Sequence, residues 1–164
     1  MKAPALAAVA LVTGALLGAC GFHLQGVSRL PPAFATTRLV AEDRYTSFHG
    51  ALVDALHSAG VQLTTSAADA TATVEVLADD SGQRVLSVSA LNTPTEYEVY
   101  YTVRYRVRIG DKEVLSPKVL TLTKDYSFNE AAVLAKEAEQ QQIRVALARE
   151  LAVIVMRRLT ALTP

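Results

Sequence analysis

The sequence predicts an α+β domain: a four-stranded, mostly antiparallel sheet with two helices packed on one face, in the order β-α-β-β-β-α. Three observations predict it. Tyr97 to Ile109 alternates strictly between apolar odd positions and largely polar even ones, which marks a strand with one buried and one wet face. Phe48, Leu52, Val53, Leu56 and Ala59 recur at helical spacing. Ile143, Leu147, Leu151 and Ile154 form a second helical stripe, widened by Val155, Leu159 and Leu162. Two such helices hide their stripes at least cost by sharing one face of the sheet.

Each element follows in chain order. Thr36 to Ala41 is a short strand candidate. A helix over Tyr45 to Ala59 has Thr46 or Ser47 as its N-cap and Gly60 as its stop, the residue types that satisfy orphan amides and the left-handed exit. Val61 to Asp69 reads as a strand end or loop. Thr73 to Val76 and Val85 to Ser89 alternate, and Asp79-Asp80-Ser81-Gly82 between them is either a turn or a kink in one long strand. The pair Asp79-Asp80 lacks the rest of a calcium loop and is taken as a turn. Asn92-Thr93-Pro94 and Gly110-Asp111-Lys112 mark the next reversals. Val114 to Tyr126 is the returning strand, with Leu120, Leu122, Lys124 and Tyr126 on one side; Pro117 suits an edge or a bend. Asn129 and Glu130 open the last helix, which runs to about Leu162. Its early, polar part, Lys136 to Gln142, is expected to project beyond the sheet or to face a partner.

The 164 residues suffice for one domain, and 51% apolar content supplies a core. Lys+Arg and Asp+Glu balance at 16 each, so no global field draws in nucleic acid, and any charge recognition is local.

The N-terminal residues have a different character. Lys2 is the only charge before Arg29, and Ala3 to Ala19 is rich in Ala, Leu, Val and Gly. This is the n-region and h-region of a secretory signal. It ends Leu17-Gly18-Ala19-Cys20, which resembles a bacterial lipobox: an aliphatic residue, two small ones, then the cysteine whose sulfur takes lipid. The division that follows is a signal peptide over 1–19, a lipidated tether over 20–34 with Gly21, Gly26, Pro31 and Pro32, and a single domain over 35–164. An uncleaved anchor over Ala3 to Phe22 is the alternative, weakened by Pro4 and the small residues. Cys20 is the only cysteine, so no intramolecular disulfide is available. Gly21 rather than Asp follows it. Under the usual bacterial sorting, this favours the outer membrane, with the chain lipid-anchored on the periplasmic side.

Catalytic and cofactor signatures are missing: there is no GxSxG, Walker loop or HExxH, and His23, His49 and His57 have no ligand-like spacing. Neither enzyme activity, nor a metal, nor a cofactor is expected. The chemistry-bearing feature is a row of arginines, Arg104, Arg106 and Arg108, on one face of the alternating strand. Successive guanidinium groups there stand about 7 Å apart. They either hold phosphate or carboxylate, or lie on a solvated face and pair with acids on the next strand.

Four segments in order carry a family resemblance: Cys20-Gly21-Phe22-His23-Leu24; Leu52-Val53-Asp54-Ala55-Leu56 with Ala59-Gly60-Val61; Thr95-Glu96-Tyr97-Glu98 ahead of the long strand; and Leu134-Ala135-Lys136-Glu137-Ala138-Glu139-Gln140, followed by Arg157-Arg158-Leu159. Together they resemble the lipopolysaccharide-assembly lipoproteins of the LptE family, over nearly the whole mature chain. The resemblance implies a small α/β lipoprotein that plugs the lumen of the outer-membrane barrel LptD, helps it assemble, binds lipopolysaccharide and assists its delivery to the outer leaflet. Lys136 matches a lysine on the family's last helix. The basic residue that some members carry before the TEY-like motif has no counterpart at Ser89, Ala90 or Leu91, so that contact is absent or comes from Arg84. Lys136, Arg84, Arg104, Arg106 and Arg108 are therefore the candidate lipopolysaccharide-binding residues. Two other classes stay open: a stand-alone periplasmic lipoprotein holding a lipidic ligand, and an adaptor of another envelope complex.

Mass spectrometry of the mature protein checks the N-terminal reading. The expected result is an acylated Cys20 with residues 1–19 absent; an intact Met1 or Lys2 would refute it.

Overall fold

The computed structural model describes residues 30–127 and 133–162. The expected signal peptide, Cys20, the tether as far as residue 29, and the Asn129–Glu130 helix start lie outside the described residues. A 3-10 turn, Pro32–Phe34, leads into β1 (Thr36–Ala41), α1 (Ser47–Ser58), β2 (Gln62–Leu63), β3 (Ala72–Val88), β4 (Pro94–Ile109), β5 (Lys112–Ser127) and α2 (Val133–Thr160). The sheet order is β2-β1-β3-β4-β5. β1 runs parallel to both neighbours, and β3-β4-β5 form an antiparallel meander.

The α+β class with both helices on one face is the expected one, but the sheet has five strands, not four. The additional strand is β2, two residues paired to Thr36 and Thr37. Two residues are too few to display a period of two, so Val61 to Asp69 read only as a strand end or loop and was not counted among the strands of the sheet. Phe34, on the tether side of the expected boundary, is fully buried.

β3 resolves the doubt over Asp79 to Gly82. It is one continuous strand, and the turn reading of Asp79-Asp80 is corrected. Pairing with β4 shifts register between Val76 and Ala78: Leu77 is an extra residue, a β-bulge. Up to the bulge, Ala72, Val74 and Val76 point into the core; beyond it Asp79, Ser81, Gln83 and Val85 oppose the inward residues Val103, Tyr101, Val99 and Tyr97. The switch of parity is what made the segment look broken.

Asp79, thus turned inward, meets the start of α1. The Thr46 hydroxyl donates to Asp79 Oδ2 at 2.5 Å and accepts from the His49 amide at 3.1 Å, so Thr46 is the N-cap. The Tyr101 hydroxyl accepts from the Phe48 amide at 3.1 Å. Burial, then the Asp79 carboxylate, push the Tyr101 phenol above its ordinary range, so it stays protonated. Gly60 ends α1 with φ +79°, the left-handed exit expected of it.

The core lies between the helices and the odd face of β4. Val99, Tyr101, Val103, Tyr105 and Val107 are buried there with Phe48, Leu52 and Leu56 of α1 and Ile143, Leu147, Leu151, Val155 and Leu159 of α2. Ala148, Ala152 and Met156 complete the buried stripe of α2; Ile154, expected in it, is only half-buried. The even face of β4 has no helix over it. There the Tyr100 ring lies across Gly82, whose missing side chain leaves the space: a Cβ at that position would stand 2.6 Å from the Tyr100 Cζ. β5 forms the far edge, and Pro117 sits exposed on it beside a register shift, as a proline in a sheet must.

The register predicts a contrast between neighbours. Val103 is 0% exposed, so Val103→Asp buries an unpaired carboxylate and should cost several kcal/mol, on the order of 3 or more. Thr102 lies on the helix-free face and bonds Thr121 at 2.9 Å; Thr102→Asp should cost about 1 kcal/mol or less. Urea denaturation of both variants measures this, and equal damage would refute the register.

Candidate functional site

The five candidate cations are not gathered in one place. Arg84, Arg104, Arg106 and Arg108 lie on the helix-free face. Arg84 stands directly opposite Glu98 and pairs with it at 2.5 Å. Arg106 stands opposite Glu75 and grips it through Nε at 2.9 Å and an outer nitrogen at 2.6 Å. Arg108 reaches the Asp111 carboxylate at 3.9 Å and its carbonyl at 3.5 Å. Arg104 is exposed and has no ion pair among the described residues. Within the row, Arg106 alone is paired with a cross-strand acid among the described residues; Arg108 leans on Asp111 of its own turn, and Arg104 is left without an ion pair.

Lys136 is elsewhere. Its ammonium stands 5.8 Å from the centre of the Tyr126 ring, and Tyr126 belongs to the inward face of β5, being only 8% exposed. Lys136 and the arginine row therefore occupy opposite faces of the sheet and cannot grip one small ligand together.

Around Lys136 a compact cluster forms where the polar half of α2 crosses the strands. Lys136 Nζ donates to Glu139 Oε2 at 2.7 Å. Tyr126 stacks on Tyr97 with centroids 5.8 Å apart and an interplanar angle of 19°. The Tyr126 hydroxyl donates to Gln83 Oε1 at 3.1 Å. Burial is the main cause that raises the Tyr126 pKa, with Tyr97 and Glu139 adding to it and the positive charges of Lys136 and Arg144 opposing. The phenol is therefore a neutral donor, and two cations face one acid. Sequence reasoning placed Tyr97 and Tyr126 on inward strand positions but not in a site, and it passed over Arg144. The available signal was that Tyr97 and Tyr126 share a side of two strands joined by a hairpin.

Beyond this cluster the β3–β4 hairpin presents apolar side chains to solvent. Val85, Leu86 and Val88 are about half exposed, and Leu91 is 89% exposed. Asn92 takes φ +60° at the turn, a value that asparagine tolerates better than most residues. The cluster and the tip together present cations, an aromatic shelf and bare aliphatic surface in sequence along one end of the sheet. Among the described residues, no three His, Cys, Asp or Glu side chains converge as a metal site requires.

A family model described as LptE, lipopolysaccharide-assembly, matches residues 34–159. The chain belongs to that family. It is therefore a member of a non-enzymatic lipoprotein family with a role in lipopolysaccharide transport. The LPS-assembly lipoprotein LptE of Pectobacterium atrosepticum is 26% identical over 141 residues, spanning 85% of this chain and 76% of that protein. Solved structures share the fold. Lipoprotein B of Nitrosomonas europaea aligns with a TM-score of 0.72 at 24% identity, over 86% of this chain and 91% of that one. The rare lipoprotein B of Shewanella oneidensis aligns with a TM-score of 0.68 at 21% identity, over 77% and 94%. No helix among the described residues is long and apolar enough to cross a membrane.

Lys136 is a test of function separable from folding. Its side chain makes one i,i+3 ion pair and one cation–π contact, each worth well under 1 kcal/mol to about 1 kcal/mol at a wet site. Lys136→Ala should lower stability by about 1 kcal/mol or less in urea denaturation. A loss beyond about 3 kcal/mol would make the residue a structural one.

Proposed function

We propose that this chain is an outer-membrane lipoprotein, anchored through lipid on Cys20, that plugs and helps assemble the LptD barrel and assists lipopolysaccharide insertion into the outer leaflet. The observation that carries the proposal is the helix-free face of the sheet, taken together with the family. β3, β4 and β5 each run 16 or 17 residues, roughly 50 Å of strand, more than the ~25 Å apolar band of a barrel wall. Their outer face carries Thr73, Glu75, Thr102, Arg104, Arg106, Thr121 and Thr123 along this length. Large barrels have polar interiors. A folded domain seated inside one needs its own sealed core and a long polar face, and this sheet has both.

Lipopolysaccharide is amphipathic and carries phosphates. Of the candidate residues, Lys136 has the surroundings best suited to it, because the Tyr97–Tyr126 stack and the bare hairpin tip lie at the same end of the domain. Charge-assisted bonds to phosphate contribute about 1.5–3 kcal/mol each. Arg84, Arg106 and Arg108 would first have to leave Glu98, Glu75 and Asp111, so they suit contacts with polar groups of a barrel wall. Arg104 is free of that cost among the described residues.

Two measurements separate the parts of this reading. Copurification from detergent-solubilised membranes should yield a barrel in stoichiometric amount; its absence favours a stand-alone binder. Lys136→Glu should weaken lipopolysaccharide binding by the purified chain roughly tenfold, most strongly at low salt. Arg104→Glu with Arg106→Glu should instead reduce barrel copurification. If Lys136→Glu leaves lipopolysaccharide binding intact and reduces copurification, the ligand assignment is wrong and Lys136 belongs to the protein interface.

A further inference from the structure

The second edge of the sheet is incomplete. β2 pairs with β1 only at Thr36 and Thr37, and the last bond of that ladder is Thr64 N–H to the Thr37 carbonyl at 3.1 Å. β1 continues to Ala41 and stays paired with β3 throughout. Backbone groups of a strand point to alternate sides. Since the Thr36 carbonyl accepts from Thr71 on the β3 side and the Thr37 carbonyl accepts from Thr64 on the β2 side, the N–H and C=O groups of Leu39 and Ala41 face the side that β2 has left. Among the described residues they have no neighbouring strand there.

The space beside them is a groove. A cavity of about 210 Å³ runs along this edge between α1 and the segment after β2. Leu39, Val53 and Leu63 give it an apolar floor, and Arg38, Arg44 and His49 line it with basic groups. Neither Arg38 nor Arg44 forms an ion pair among the described residues. The acids nearest His49 are engaged: Asp43 accepts from the Tyr45 amide at 2.8 Å, and Asp79 accepts from Thr46. Burial and then the charge of Arg44 lower the His49 pKa, against the opposing pull of Asp79 and Asp43, so the ring is mostly neutral at pH 7 and adds a hydrogen-bonding group rather than a third charge.

We infer that this edge receives an extended acidic segment of a partner protein, which adds a strand beside β1 at Leu39 to Ala41 and sets its carboxylates against Arg38 and Arg44. An open strand edge offers main-chain bonds to any extended peptide; the arginines select among them. A second copy of this chain is a poor occupant, since pairing β1 with β1 would bring the same arginines together. The chain's own residues 21–29 contain no Asp or Glu, and so leave the two arginines unanswered. The inference does not rest on the lipopolysaccharide reading of Lys136, which lies at another part of the fold.

The test uses the full-length chain in detergent and two synthetic probes, acetyl-Val-Glu-Val-Glu-Val-Thr-amide and its counterpart with lysine for glutamate. Amide hydrogen exchange is followed residue by residue. In the free chain, Leu39 and Ala41 should exchange fast while Arg38 and Val40, bonded to β3, exchange slowly. The acidic peptide should slow Leu39 and Ala41 by about tenfold or more at saturation, and the lysine peptide should not. Arg38→Glu with Arg44→Glu should weaken the acidic peptide roughly tenfold and let the lysine peptide bind, with the thermal midpoint kept. Slow exchange at Leu39 and Ala41 in the free chain would overturn the inference. So would unchanged exchange with acidic peptide at millimolar concentration, or loss of the peptide's effect when inorganic phosphate competes at like concentration, which would leave only a site for small anions.

Discussion

The structure depends on one extra residue. A β-strand alternates its side chains, so a regular β3 with Ala72, Val74 and Val76 in the core would also have turned Ala78 and Asp80 inward. The bulge at Leu77 inverts the parity beyond Val76. It turns Asp79 toward the start of α1, where Thr46 and Tyr101 complete the cap. It also puts Arg84 outward, opposite Glu98. Without the bulge, Ala78 and Asp80 would face α1, and neither arrangement would form. Bulges are usual where a strand must re-aim a side chain; here the re-aimed side chain fixes the helix that closes one half of the core.

The same parity divides the surface into two chemistries. The inward positions of β4, with those of β3 before the bulge, make one continuous apolar cluster with both helices. Outward positions pair charge with charge across strands, as Glu75 with Arg106, or hydroxyl with hydroxyl, as Thr102 with Thr121. The Arg106–Glu75 pair is only partly exposed, so its charges are satisfied within the sheet and demand no other partner. A face so arranged is soluble alone and adaptable against another polar wall. Lys136 and its tyrosines stand apart from it, on the helix side, beside the one hairpin whose tip is aliphatic.

Much of this was legible in the residues. The thirteen-residue alternation of Tyr97 to Ile109 placed β4 and its buried face residue by residue. The spacing of Phe48, Leu52 and Leu56 placed α1, and Thr46 and Gly60 marked its ends. What was hidden is non-local. β2 is two residues long and exists because β1 lies beside it. The bulge cancels the periodicity that would have revealed β3 as one strand. The arginine row was visible, but the pairing of Arg106 with Glu75 was not, nor that of Arg84 with Glu98, since these residues stand opposite each other only through the register of two strands. Arg144 and the Tyr97–Tyr126 stack required that α2 cross the sheet at one particular place.

The two borders of the sheet differ in kind. On β5, Pro117 supplies no amide, and exposed lysines at 112, 118 and 124 line the strand; such features discourage another strand from settling there. On its β2 side, β1 has no strand beside it beyond Thr37 among the described residues. A molecule with one receptive border and one refractory border cannot propagate: a strand added to the first finds no second copy willing to continue the row. Head-to-tail filaments, the hazard of any heterologous contact that does not close, are thereby suppressed. The sheet can grow by one strand and then stops, which suits a domain that must meet partners in a crowded envelope without polymerising.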